Sequence, residues 1–202
     1  MFPNDLERAF FHELGHFVSS SLNYELYKIQ KIIKATLTET PSKVFFTGAV
    51  TTEYPDINLN TFAPIAANNV YGCFFEGIYN WKYKNTPLDY YYCFSQYGHG
   101  KCDRNLLLNL FFKNRLKLNL EEYTEIPENL KTIFDEELIK MHNNSNLLTL
   151  FQLNVESYIS QYPNNDYQIN IEKLEKDIRE IINNHRNDYV VFIEKIQFTI
   201  KS

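Results

Sequence analysis

Residues 12 to 16 read His-Glu-Leu-Gly-His. In a helix, residues four apart share a face, so the imidazoles of His12 and His16 can meet at one metal ion. In a strand the same two positions would lie about 13 Å apart and could not. Glu13 sits about 100° round the helix from His12, close enough to take a proton from water activated by that ion without being a ligand. The flanking residues agree with a helix. Pro3, Asn4 and Asp5 form a start signal, with Asn4 or Asp5 able to cap free N–H groups. Leu6, Phe10, Leu14, Phe17 and Val18 then make an apolar stripe at spacings of three and four, which predicts a helix to about Ser21. The bland alternative is two histidines one turn apart beside an ordinary glutamate. Gly15 speaks for the functional reading: glycine inside a helix costs about 1 kcal/mol against alanine, and its missing side chain lets another element pack closely.

Two imidazoles leave a catalytic zinc site one protein ligand short. The fold must therefore bring a distant Asp, Glu, His or Cys to this helix. Glu39 is at a suitable distance along the chain, but TLTETPS around it reads as a turn. No HxxGxxH continuation follows His16. Glycine narrows the search. The chain has only six, at 15, 48, 72, 77, 98 and 100, so each marks a place where φ > 0 or close backbone approach is needed. Four of them flank two later segments, Tyr71-Gly72-Cys73-Phe74-Phe75-Glu76-Gly77 and Gly98-His99-Gly100-Lys101-Cys102-Asp103.

The remaining pattern predicts a strand from Leu26 to Leu37, a turn at Thr40-Pro41-Ser42 and a second strand over 43–52. A loop at Pro55 and Asn58 leads to a helix over 59–83. A polar, aromatic loop over 85–100 opens a helix at Asp103 that runs to Leu118. Further helices are predicted over 127–142, 146–161 and 169–198, with asparagine pairs such as Asn143-Asn144 and Asn164-Asn165 at their ends. Ile171, Leu174, Ile178, Ile181, Tyr189, Ile193 and Ile196 give the last one a continuous stripe, for its own core or for a partner helix. The fold class expected is α+β, mostly helical, with a small sheet beside the His12–His16 helix and a helical C-terminal half. The 202 residues are read as a single domain, 1–118 carrying the metal site and 119–202 a helical part.

Composition narrows the function classes. With 25 acids against 20 bases the net charge is −5, which argues against nucleic acid as the partner. No stretch approaches the length of a membrane span, and the N-terminus does not read as a signal peptide. Cys73, Cys93 and Cys102 include no CxxC pair, so a reducing, cytoplasmic setting fits better than a disulfide framework.

The order of features resembles the peptidase domain of the FtsH family of ATP-dependent zinc proteases. That family has HEAGH in a helix, two strands, a helix with a GGxxAE stretch, and a glycine-containing loop opening a helix. The resemblance spans residues 5 to 118. It implies His12 and His16 as zinc ligands, Glu13 as catalytic base, Asp103 as third ligand, and Glu76 near the metal. On the residues alone Asp103 is equally a helix-start acid, and Glu76 is the alternative third ligand. His99 and Cys102 are also able to bind Zn²⁺. Cys73 and Cys93 read as core thiols, His142 and His185 as surface residues. The chain differs from the family in lacking an ATPase module and membrane anchor, and in carrying Cys73, Phe74 and Phe75 where the family has small residues. A stand-alone, divergent zinc metallopeptidase acting on a peptide or protein is expected, possible as a homo-oligomer through its C-terminal helices. The strand 43–52 is the candidate to pair with an extended substrate. The aromatic loop 88–97 could line a pocket or act as a packing cover. The rival expectations are an ImmA/IrrE-like regulatory peptidase, a silent zinc-binding module, and an assembly protein acting through the helical tail.

Overall fold

The computed structural model describes residues 4–40, 45–53, 55–118, 125–162 and 166–200. The fold is mostly helical α+β. Helix α1 (Asn4–Tyr27) carries Asp5 and Glu7 in its first turn, where free N–H groups and the helix dipole favour acids. Every residue from 8 to 20 is buried, so α1 is a central helix covered on all sides. It continues past Ser21 to Tyr27, because Lys28 (φ 58°) and Gln30 (φ 56°) make the reversal in left-handed conformations. The Asn23 amide holds that turn by donating to Gln30 Oε1 (2.6 Å) and the Pro64 carbonyl (2.9 Å). The first strand consequently starts later than its composition suggests: β1 spans Ile32–Glu39 and pairs antiparallel with β2 (Phe46–Thr52). Residues 41–44 of the expected turn and second strand lie outside the described residues, as do Asn164 and Asn165.

Helix α2 (Phe62–Lys84) ends on left-handed Asn85 (φ 52°), a residue that tolerates this conformation. Helices α3 (Lys101–Leu118) and α4 (Glu128–Asn143) follow. The helix expected over 146–161 does not form. The segment breaks into a short helix α5 (Ser145–Leu148), 3₁₀ turns at Thr149–Gln152 and Val155–Ser157, and a strand β3 (Ile159–Tyr162). Asn144 and Asn154 take extended conformations ahead of these turns, and the Asn144 side chain accepts from Leu147 N–H at 3.1 Å, so local side-chain bonds compete with helix continuation. Strand β4 (Asp166–Ile169) follows, and α6 (Ile171–Thr199) is capped by Asn170.

The sheet runs β2-β1-β4-β3, antiparallel throughout. The C-terminal half is therefore not wholly helical: β4 fills the second side of β1 through pairs such as Thr36↔Gln168. That pairing joins segments far apart in sequence, which periodicity cannot reveal. Its consequence for the site is that β2 is an edge strand.

Helix α1 packs against the sheet on one side and α2 on the other, and α2 in turn meets α3, α4 and α6. Aromatic rings fill these seams. Phe11 stacks on Tyr79 and Phe151 at 5.2 and 5.1 Å, and Phe62 meets Phe111 edge-on at 5.1 Å. Full burial of one such ring is worth about 1.5–3 kcal/mol. The α6 stripe faces its own chain, with Leu174, Ile178, Tyr189, Ile193 and Ile196 buried while Phe198 is exposed. His185 is buried as well, not a surface residue. It sits in register with Ile178, Ile182 and Tyr189 on that face, 3.0 Å from the Tyr71 hydroxyl, and burial pushes its pKa down to about 4. His142 is half-buried, edge-on to Trp81. No described helix is long and apolar enough to cross a membrane.

Candidate metal centre

Three side chains converge where α1, α2 and the start of α3 meet. His12 and His16 project from adjacent turns of α1, with Nε2 atoms 3.2 Å apart. Asp103, in the first turn of α3, places Oδ2 3.1 Å from His12 Nε2 and Oδ1 3.5 Å from His16 Nε2. A tetrahedral ion with bonds of about 2.0–2.1 Å needs ligand atoms about 3.3 Å apart. The three separations, two of them to different oxygens of the Asp103 carboxylate, bracket that value.

The outward nitrogens explain why the inner ones converge. His12 Nδ1–H donates to Glu76 Oε2 at 3.0 Å, and His16 Nδ1–H to the Asn68 carbonyl at 2.9 Å. Asn68 returns its amide to the His16 carbonyl and to Ser20 Oγ. With both Nδ1 atoms donating, each neutral imidazole turns a lone pair inward, toward the other ring and toward the Asp103 carboxylate. Only a cation between them, proton or metal, reconciles this arrangement. The electrostatics agree. Burial opposes charge on His12 and His16, yet Asp103 lifts both above the ordinary imidazole range. Asp103 is held well below its ordinary value against its own burial, chiefly by the two histidines. The donor set and its outward partners match what a zinc site requires.

Glu76 is not at ligand distance from this point. It lies behind His12, 1% exposed, where Oε2 also accepts from Arg8 Nη1 at 3.0 Å and Oε1 accepts from His99 Nδ1 at 2.9 Å. Burial works against its charge, but His12, His99 and Arg8 overcome that and hold it well below the carboxylate range. Arg8 also bonds Asp5 (2.7 Å) and the Phe46 carbonyl (2.7 Å), while Phe46 N–H donates to Asp5. This cluster ties the first turns of α1 to β2 and α2.

None of the six glycines has positive φ; what they provide is close approach. At the α1–α2 crossing, a Cβ on Gly72 would stand 2.8 Å from His12 Nε2 and closer still to His16 Nε2, and one on Gly15 would stand 2.7 Å from the Tyr71 carbonyl carbon and closer still to its oxygen. Gly48 does the same on the sheet side, where a Cβ would lie 2.6 Å from the Glu13 carboxyl carbon.

Glu13 is 3% exposed. Burial raises its pKa, offset only in part by His16, His12 and the Val50 backbone N–H. Its Oε2 has no hydrogen-bond partner among the described residues. It borders a cleft of about 310 Å³ lined by His12, His16, Asp103, His99, Leu106 and the strand 46–50. The carbonyl of Phe45 and the N–H of Glu53 bond toward β1, while the backbone of Phe46 bonds to α1. Strand alternation then turns the N–H and C=O of Gly48 away from β1, toward the cleft.

The other sequence-derived candidates fall elsewhere. Cys102 lines the cleft but is exposed and outside the ligand cluster. Glu39 ends β1, away from the cleft. No residue of the loop 88–97 lines the cleft; Tyr90, Cys93 and Phe94 are buried, while Tyr91, Tyr92 and Tyr97 are exposed. Cys73 and Cys93 are buried, as read from the sequence, yet Cys93 Sγ lies 3.3 Å from Glu76 Oε2 and 3.7 Å from His12 Nδ1. His12, Cys73 and Cys93 form a second conceivable ligand set. It would need His12 Nδ1, which Glu76 already engages, and the Cys73 thiol, whose ionisation burial strongly opposes. The His12-His16-Asp103 set is the better ligand geometry. Comparison with protein-family models, curated proteins and solved structures returns no match.

Proposed function

We propose that this chain is a zinc-dependent peptidase. The observation that carries the reading is the pairing of two features in one cleft: three ligating side chains whose donor atoms approach one another at 3.1, 3.2 and 3.5 Å, and a buried carboxylate, Glu13, with an oxygen unpartnered beside them. A zinc ion held by His12, His16 and Asp103 would supply Lewis acidity and make a water molecule a stronger acid.

The chain's own groups do the rest. Glu13 takes the proton from the attacking water and passes it to the departing amine. Its burial supports this role, since a carboxylate with a raised pKa holds a proton more readily than an exposed one. Glu76 and the Asn68 carbonyl fix the imidazoles of His12 and His16 in the tautomer that presents Nε2. The edge of β2 at Gly48 offers backbone groups to an extended peptide, which favours a substrate bound with little sequence dependence. The order of elements, with Glu76 in α2 and Asp103 opening α3, supports kinship with the FtsH peptidase domain. The free cysteines suit a cytoplasmic setting within the same proposal.

Glu13→Gln tests the reading. The variant is expected to keep wild-type zinc content by elemental analysis and to lose hydrolysis of labelled casein by at least about 100-fold. Wild-type turnover in that variant would sink the assignment.

A further inference from the structure

Two thiols meet behind the metal cluster, on the side of His12 that faces Glu76. Cys73 is buried in α2, and Cys93 is buried in the turns between α2 and α3. Their Sγ atoms are 2.9 Å apart. A disulfide bond is about 2.05 Å long, so closing one needs an approach of less than about 1 Å. The same separation argues against a metal held between the two sulfurs. At about 2.3 Å from a tetrahedral zinc, two sulfurs would stand about 3.8 Å apart.

The surrounding backbone is shaped to this meeting. A Cβ on Gly100 would overlap the Cys73 sulfur and stand 3.0 Å from the Cys93 sulfur, so only glycine lets the chain close over the pair. Gly100 N–H donates to the Cys93 carbonyl at 3.0 Å, and Phe94 N–H to the Tyr90 carbonyl at 2.9 Å, which holds Cys93 in place. The third cysteine, Cys102, is exposed and stands outside the group formed by His12, Cys73 and Cys93.

We propose that Cys73 and Cys93 form a redox-sensitive modification site, closing to a disulfide on exposure to a peroxide and reopening with a dithiol. One thiol takes an oxygen atom from hydrogen peroxide and becomes a sulfenic acid, releasing the first water. The second sulfur attacks the first, the S–O bond breaks as the S–S bond forms, and a second water leaves. The two thiols have then given up two electrons and two protons, and the peroxide has been reduced to two waters. Peroxide is small enough to reach the pair when the segment 88–100 opens, a stretch that no helix or strand holds. Transient disulfides of this kind are the ones that occur in reducing compartments. Closure removes the S–H hydrogen within reach of Glu76 Oε2, which lies 3.3 Å from Cys93 Sγ. It also ties the turns leading to Asp103 covalently to the helix that carries Glu76. The proposal does not depend on the peptidase reading.

The test treats the full-length chain with a few equivalents of hydrogen peroxide, then denatures it in iodoacetamide and digests it with trypsin. The three cysteines fall in separate peptides, 44–82, 85–101 and 102–104, so mass spectrometry reads each pairing. The expected product is 44–82 joined to 85–101, two hydrogens lighter than their sum, absent before peroxide and lost when the folded protein meets dithiothreitol. In denaturing urea the shorter loop is favoured, and Cys93 is expected to pair with Cys102 instead. Recovery of Cys73 and Cys93 as alkylated thiols while Cys102 is oxidised would overturn the proposal. So would a folded chain whose main cross-link runs through Cys102, or a cross-link that dithiothreitol cannot reopen.

Discussion

Gly48→Ala is a perturbation whose effect follows from distances. The new Cβ would stand 2.6 Å from both the carboxyl carbon and Oε1 of Glu13, where ordinary contacts between such atoms are about 3.5–4.0 Å. The clash is relieved only if the Glu13 carboxylate or the β2 backbone moves by about 1 Å. Glu13 is buried between α1 and β2, and β2 is tied to α1 through Phe46, Asp5 and Arg8, so neither shift is free. Overpacking of this kind costs about 1–3 kcal/mol of stability, while a 1 Å displacement of a reacting group costs about 100-fold in rate. The three atoms nearest the added methyl all belong to Glu13. The expected outcome is a folded protein with full zinc content and kcat on casein reduced about 100-fold. Steady-state kinetics beside elemental analysis reads this directly. A variant with full zinc and kcat within threefold of wild type would refute the claim that Glu13 must stand where Gly48 admits it.

Gly72→Ala should give the complementary result. Its Cβ would intrude on the Nε2 atoms of both His12 and His16, so zinc affinity, measured by competition with a chromophoric chelator, is expected to fall at least about 100-fold. Glu137 offers a test of the buried network behind the site. It accepts from the Tyr71 hydroxyl at 3.3 Å, and burial pushes its pKa from 4.5 to about 7. A carboxyl raised on folding leaves stability intact below pH 4.5 and removes it as pH rises toward 7, by about 3 kcal/mol in all. Glu137→Gln is therefore expected to raise the urea midpoint at pH 8 and change it little at pH 4; equal midpoint shifts at both pH values would count against this account.

How much of this was legible in the sequence varied with the range of the interaction. The four-residue spacing of His12 and His16 and the apolar stripe around them predict one helix presenting two imidazoles, because both are local consequences of helical geometry. Scarce glycine pointed to Gly15, Gly48 and Gly72, and each sits where two elements touch. The sequence reading placed His185 on the surface for its polarity, and packing overrode that: it lies three residues beyond Ile182 and four before Tyr189, on the buried face of α6. The break at 146–161 was marked only by Asn144 and Asn154.

By itself the sequence determined the helix, its pair of histidines and the adjacent Glu13, since a repeat of 3.6 residues fixes what shares a face. Tertiary structure alone decided the rest of the site. Which acid joins the two imidazoles and which stands behind them depends on how α2 and α3 meet α1: Asp103 faces both Nε2 atoms, while Glu76 faces the other nitrogen of His12. Tertiary pairing also made β2 an edge, because β4 takes the far side of β1. Such outcomes arise from contacts between residues scores of positions apart, and no local spacing encodes them.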